Sequence, residues 1–197
     1  MLAVVTAPPG DLLAYHLGFV VRDLDAVAER YQRMLGVDRW RVHELAVPGV
    51  PWNPRTTDAR IKVAFGRAAG LTFELIQVQA GRTPHLEFLE THGEGVQHVG
   101  FWAADLRAAT QHLLDQGGRV TLARYDDLTD TALVQLTPSS TNEAIVDTLD
   151  KARLAYVDPG VGGVQIELVG PGGSVGLRQW MEQDFASIVQ PPPPWEA

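Results

Sequence analysis

Two stretches of the chain align on each other. HLGFVVRDLDA, starting at His16, and HVGFWAADLRA, starting at His98, agree at six of eleven positions, as His, Gly, Phe, Asp, Leu and Ala. Each is followed by an apolar run with a central Glu-Leu, LTFELIQV around Glu74 and GVQIELVG around Glu167, so the order His then Glu occurs twice. Such a repeat narrows the fold more than composition does. Each copy is one supersecondary unit that cannot bury its apolar side alone and must pack against its twin. From His16 to Glu74 is 58 positions and from His98 to Glu167 is 69, so the second copy carries about eleven extra residues.

Each copy reads as β, α, β, β, β. In the first, AYHLGFVV is β-branched and aromatic, and Asp23 is placed to cap a helix. Leu24, Val27, Ala28, Tyr31, Met34 and Leu35 recur there at helical spacing, and Gly36 stops it. Strands are expected at about 38–46, 60–66 and 71–78, with the Pro-rich loop VPGVPWNPRTTD between the first two. In the second copy VQHVGFWA is a strand. Asp105 caps a helix carrying Leu106, Ala109, Leu113 and Leu114, and Gly117-Gly118 ends it. Strands follow at about 119–124, 152–157 and 163–169, and the extra segment 126–151 holds a short helix at about 142–150. The expected fold class is α+β, with two βαβββ modules forming an open, curved mixed β-sheet barrel. The expected organisation is a single domain over 1–197, with modules at 14–80 and 96–170. A C-terminal helix and a Pro-rich tail occupy 171–197.

Composition removes several functions. With no cysteine, disulfides, thiolate metal sites and cysteine nucleophiles are excluded together, and any metal must sit on nitrogen and oxygen. A net charge of −8 without a Lys/Arg cluster argues against nucleic acid and against an anionic membrane. No apolar run is long enough to span a bilayer, and the first residues lack the basic and apolar regions of a signal peptide, so cytoplasmic residence and a small-molecule partner are expected.

Strand alternation places His16, Glu74, His98 and Glu167 opposite apolar neighbours: Tyr15 and Leu17, Phe73 and Leu75, Val99 and Phe101, Ile166 and Leu168. A lone strand histidine is more often a core residue than a ligand. Four groups in repeat-related positions have a common explanation, because a buried unpaired glutamate is costly and a divalent ion neutralises two carboxylates while accepting imidazole nitrogen. The set suits one zinc, manganese, cobalt, nickel or iron ion, with two positions left for water or substrate. His85 and His92 lie on a helix read as surface, His112 lies on the second-module helix, and His43 with Glu44 is the pair expected nearest the cavity. Trp102 shares a face with His98 and Trp52 lies in the Pro-rich loop. Both are candidate walls of a substrate pocket, with core packing the alternative for these two and for Trp40.

The blocks FELIQV, FLETHGEGVQHVGF and YVDPGVGGVQIELVG resemble the vicinal oxygen chelate superfamily of glyoxalases, bleomycin resistance proteins and dioxygenases, over most of residues 14–170. They are most similar to its methylmalonyl-CoA epimerase and glyoxalase-like branch. The resemblance implies metal ligands at His16, Glu74, His98 and Glu167, and homodimerisation. It also implies a metal-dependent isomerase, epimerase or lyase in which a carboxylate takes a proton next to a carbonyl and a metal-stabilised enolate forms. Glu167 is the first candidate for that base, and Glu44, ahead of Lys62, for the second acid/base an epimerase needs. The chain departs from the epimerases at Gln97-His98, where they have two adjacent histidines, at VAF, where no carboxylate precedes the third strand, and in the segment 126–151. The alternatives are an Fe(II) ring-cleaving dioxygenase, which four retained protein ligands disfavour, and a metal-free drug-sequestering protein of the same fold, which usually lacks the ligand set.

Overall fold

A computed structural model describes residues 12–37, 39–125 and 136–171. The two aspartates act as the alignment requires. Asp23 accepts a hydrogen bond from the Ala26 amide and opens α1 (Leu24–Leu35), which Gly36 closes in the left-handed conformation at φ 69°. Asp105 accepts from the Ala108 amide and opens α3 (Leu106–Asp115). Each capped helix follows the first strand of its copy, β1 (Leu13–Val20) or β5 (Gly95–Trp102), and precedes three more. These are β2 (Trp40–Val47), β3 (Ala59–Ala68) and β4 (Leu71–Ala80) in the first copy, and β6 (Arg119–Tyr125), β7 (Ala152–Asp158) and β8 (Gln165–Val169) in the second.

The eight strands form one mixed sheet in the order β2-β3-β4-β1-β5-β8-β7-β6, curled into a half-barrel. Within each copy the first strand pairs parallel with the last, β1 with β4 and β5 with β8. The copies join where β1 runs antiparallel to β5. Both first strands therefore stand at the centre of the sheet, and each carries its histidine there.

Apolar rows on the outer face hold the helices. Leu24 and Ala28 of α1 pack on Ala64 and Leu75, and Leu106 and Ala109 of α3 pack on Val120, Ala155 and Leu168. Leu24, Leu75 and Leu168 are fully buried, each contributing roughly 1.5–3 kcal/mol of transfer free energy. A second cluster, including Tyr15, Val63, Phe65, Ile76, Trp102 and Val169, occupies the other face. Tyr15 was expected in the helix-facing row with Leu17. A register irregularity between Ala14 and His16 instead puts it beside Trp102, at a ring separation of 4.3 Å.

Between the copies runs α2 (Pro84–His92), capped by Thr83, whose side chain accepts from the Leu86 amide. The extra segment is described from residue 136 and contains α4 (Asn142–Val146) and a 3₁₀ turn, Leu149–Lys151. Ile145, Val146 and Leu149 join the core of the second copy, and Tyr125 and Thr148 share a 2.8 Å hydroxyl–hydroxyl hydrogen bond. The expected C-terminal helix and Pro-rich tail lie outside the described residues. No helix among the described residues is long and apolar enough to cross a membrane.

Candidate metal centre

The central strands bring the four repeat-related side chains to one point. His16 comes from β1, Glu74 from β4, His98 from β5 and Glu167 from β8, all buried, each offering a donor atom within 4.8 Å of the others. His16 Nε2 is 3.0 Å from His98 Nε2, 3.0 Å from Glu74 Oε2 and 3.0 Å from Glu167 Oε2. His98 Nε2 is 2.9 Å from Glu74 Oε2 and 3.7 Å from Glu167 Oε2.

Glycine makes this approach possible. In the register, Gly18 pairs with His98 and His16 with Gly100. A Cβ at Gly18 would lie 1.8 Å from His98 Cε1, and one at Gly100 would lie 2.2 Å from His16 Cε1. The His-x-Gly of each copy is thus a ligand together with the seat for the other copy's imidazole.

The donor set fits a divalent ion. Ligands at about 2.1 Å from a metal and at right angles to each other are about 3.0 Å apart, the spacing observed around His16 Nε2. Protons alone serve the cluster poorly. Although Glu167 Oε2 lies 3.0 Å from His16 Nε2, their geometry makes no hydrogen bond, and that buried oxygen and His16 Nδ1 are left without hydrogen-bond partners.

Electrostatics point the same way. Burial works against a charged His16, yet the charge of Glu74, then that of Glu167, with both carboxylates held at 3.0 Å, raises its pKa to about 10. Burial likewise opposes a charged Glu74, but His16 and His98 hold its carboxyl well below the usual carboxylate range. Two phenols flank the cluster. Burial, then the charges of Glu74 and Glu167, pushes the Tyr15 hydroxyl up; burial, the same two charges and a hydrogen bond to Glu167 push Tyr156 up.

Three neighbours of the cluster were not singled out as site residues by the sequence. His85, read as lying on a surface helix, is buried. Its ring centroid is 5.3 Å from that of Tyr156 and 6.1 Å from that of His98. Burial, then the charge of His98, lowers its pKa to about 4. Gln97 accepts from His98 Nδ1 at 2.8 Å, and Tyr156 faces Glu167 across β7 and β8. Of the three, only Gln97 left a trace in sequence, as the residue replacing the first of two adjacent histidines.

Other expected site residues stand elsewhere. Glu44 is exposed and accepts from Gln79, opposite Lys62 in the β2–β3 register. Lys62 holds Asp25 of α1, so Glu44 stands on the helix side of the sheet, away from the four donors, and is not placed to act as the second acid/base there. Strand alternation turns its neighbour His43 to the other face, opposite Val63, where its Nε2 accepts from Arg41 at 3.1 Å. Trp102 is buried beside Tyr15 on the centre's side of the sheet. Trp52 packs into the second copy's core with Tyr125 at 6.0 Å, and Trp40 donates to the Ala28 carbonyl. His92 is exposed and stacks on Phe88. A groove of about 290 Å³ opens beside α2, lined by Phe88, Arg119, Thr121 and Gln165 among others. Gln165 pairs with His98 across β5 and β8, two residues before Glu167.

Comparison with known proteins agrees with this architecture. No curated protein matches the sequence. Among solved structures, methylmalonyl-CoA epimerase from Mycobacterium tuberculosis is 25% identical, with a TM-score of 0.50 over 90% of this chain and 97% of that one. A 4-hydroxymandelate synthase variant from Streptomyces coelicolor is 20% identical, with a TM-score of 0.51 over 85% of this chain and 51% of that one; this likeness concerns the fold. The family model of the Glyoxalase/Bleomycin resistance protein/Dioxygenase superfamily matches residues 15–134, more than half of the sequence, and the chain belongs to that family.

Proposed function

We propose that this protein is a metal-dependent isomerase, epimerase or lyase that removes a proton next to a carbonyl. The observation that carries the proposal is the buried convergence of His16, Glu74, His98 and Glu167. The likeness to a methylmalonyl-CoA epimerase, spanning nearly all of that protein, supports it. His16, Glu74, His98 and Glu167 would hold one divalent ion, which when bound supplies Lewis acidity toward a carbonyl oxygen of the substrate.

Glu167 is the proposed base. Tyr156 faces this carboxylate across β7 and β8, and the buried Oε2, 3.0 Å from His16 Nε2, is the oxygen that would leave the ion to accept the proton. The α-proton passes to that oxygen, and the C–H electron pair moves into the enolate. Trp102 and Tyr15 form an aromatic wall next to His16, which favours a substrate with an apolar portion.

The test is metal analysis of the purified protein followed by proton exchange in D2O, using α-carbonyl acids, acyl thioesters and hemithioacetals. Metal-dependent exchange that falls by about 100-fold or more in Glu167→Gln supports the proposal. A metal-loaded protein that exchanges none of these overturns it. Oxygen uptake with a catechol would select the dioxygenase chemistry instead.

A further inference from the structure

Gln97 is completely buried one residue before His98, and its amide carbonyl serves two imidazoles. Oε1 lies 2.8 Å from His98 Nδ1 and 3.2 Å from His85 Nδ1. A carbonyl oxygen has two lone pairs and no proton, so both contacts require the ring to donate, with Nδ1–H on each histidine. For His98 that choice leaves the lone pair on Nε2, the atom that meets His16 and Glu74. The opposite amide orientation would direct two N–H groups at the same Nδ1 atoms. Each neutral ring would then carry its proton on Nε2, and His98 could no longer act as a ligand through that atom.

The Gln97 amide nitrogen is buried without a hydrogen-bond partner, so it does not decide which end of the amide faces His98. Ligation does: a His98 that holds the ion through Nε2 carries its proton on Nδ1, and only the carbonyl end of the amide can accept it. His85 reaches this point from α2, a separate element, and occupies the second lone pair of the same carbonyl.

We propose that Gln97 and His85 are positioning residues of the metal centre: the Gln97 carbonyl fixes the tautomer that makes His98 a ligand, and His85 holds that carbonyl in place. The proposal rests on the metal reading above. A purely space-filling pair would affect stability, yet would leave the His98 tautomer and the relation between the two residues' effects on metal binding unconstrained.

The experiment is calorimetric titration of the full-length protein with Co(II), together with ¹⁵N NMR of histidine-labelled apoprotein. Gln97→Leu, which removes the acceptor, is expected to weaken Co(II) binding by about 10–100-fold, and Gln97→Glu, which keeps an acceptor facing Nδ1, by no more than about threefold. His85→Phe should show a smaller loss than Gln97→Leu, and the double variant Gln97→Leu/His85→Phe should bind no more weakly than Gln97→Leu alone. In the apoprotein the Nδ1–H of His98 should be hydrogen-bonded and slow to exchange in the wild type and in Gln97→Glu, and fast in Gln97→Leu. Equal losses in the leucine and glutamate variants, losses that multiply in the double variant, or an unchanged His98 Nδ1–H signal would overturn the proposal. Should Gln97→Leu fail to fold, His85→Phe and Gln97→Glu still decide by affinity and by that signal. A wild-type protein that binds no Co(II) would sink the metal reading, and the wild-type Nδ1–H signal would then decide the role of Gln97 by itself.

Discussion

At positions 18 and 100 the lack of a side chain is a structural requirement. A methyl group at Gly18 would overlap the His98 ring, so Gly18→Ala must either turn that imidazole away or part β1 from β5. We expect Gly18→Ala to weaken metal binding by about tenfold or more in a calorimetric titration, since a displaced ligand lacks its companion atoms. His85 gives a pH-dependent prediction. Its folded-state pKa of about 4 lies below the ordinary 6.5, so between those values the unfolded chain binds a proton that the folded one refuses. Its contribution is therefore intact above about pH 6.5 and is lost as the pH falls toward 4, by an amount of order 3 kcal/mol. In urea unfolding, the midpoint of the wild type should fall more steeply from pH 7 to 4.5 than that of His85→Phe; parallel curves would refute this. The four donor residues were legible in the sequence because they recur in register. His85 was not, because it arrives on α2, which belongs to neither repeat; Tyr156 was not, because its counterpart Phe65, in the same register place beside Glu74, keeps the ring without the hydroxyl.

Among the elements, the capped helices were read from the sequence with little loss, since Asp23, Gly36 and Asp105 act through hydrogen bonds within one turn. Removing the cap in Asp105→Ala should cost about 1 kcal/mol in urea unfolding. The layer that α1 forms on the sheet depends on Leu75, the outward neighbour of Glu74. Leu75→Ala should cost about 2–5 kcal/mol by the same measurement, because the closed interface leaves a cavity behind. Strand facing was harder to read. Strand β2 is half-exposed along its length, so its sequence carries a weak alternation, and a one-residue difference decides whether His43 or Glu44 turns from the helices. Tyr15 escaped the expected row for a different reason: a local irregularity in β1 changes which face its ring joins, and no residue type announces it.

For the molecule as a whole, the ion would tie the two copies together, since each contributes one histidine and one glutamate. Metal at a concentration about 100 times the dissociation constant should therefore add about 2.7 kcal/mol to unfolding stability, an increment that a chelator removes and that Glu74→Gln strongly reduces. Without metal, His16 holds its proton up to about pH 10, so loading must expel it. Affinity should then rise by about tenfold per pH unit for each proton displaced, and calorimetry in buffers of different ionisation enthalpy would count those protons. The paired βαβββ plan and its curled sheet were visible in advance because a repeat specifies its own partner; how the space between the copies is filled emerges only once α2 is laid across it. The reciprocal seating of His98 over Gly18 and His16 over Gly100 makes either half the complement of its own kind. Two separate copies of one half, related by a two-fold axis, would bring the same kinds of donor to one point, so the linker between the halves carries none of the chemistry.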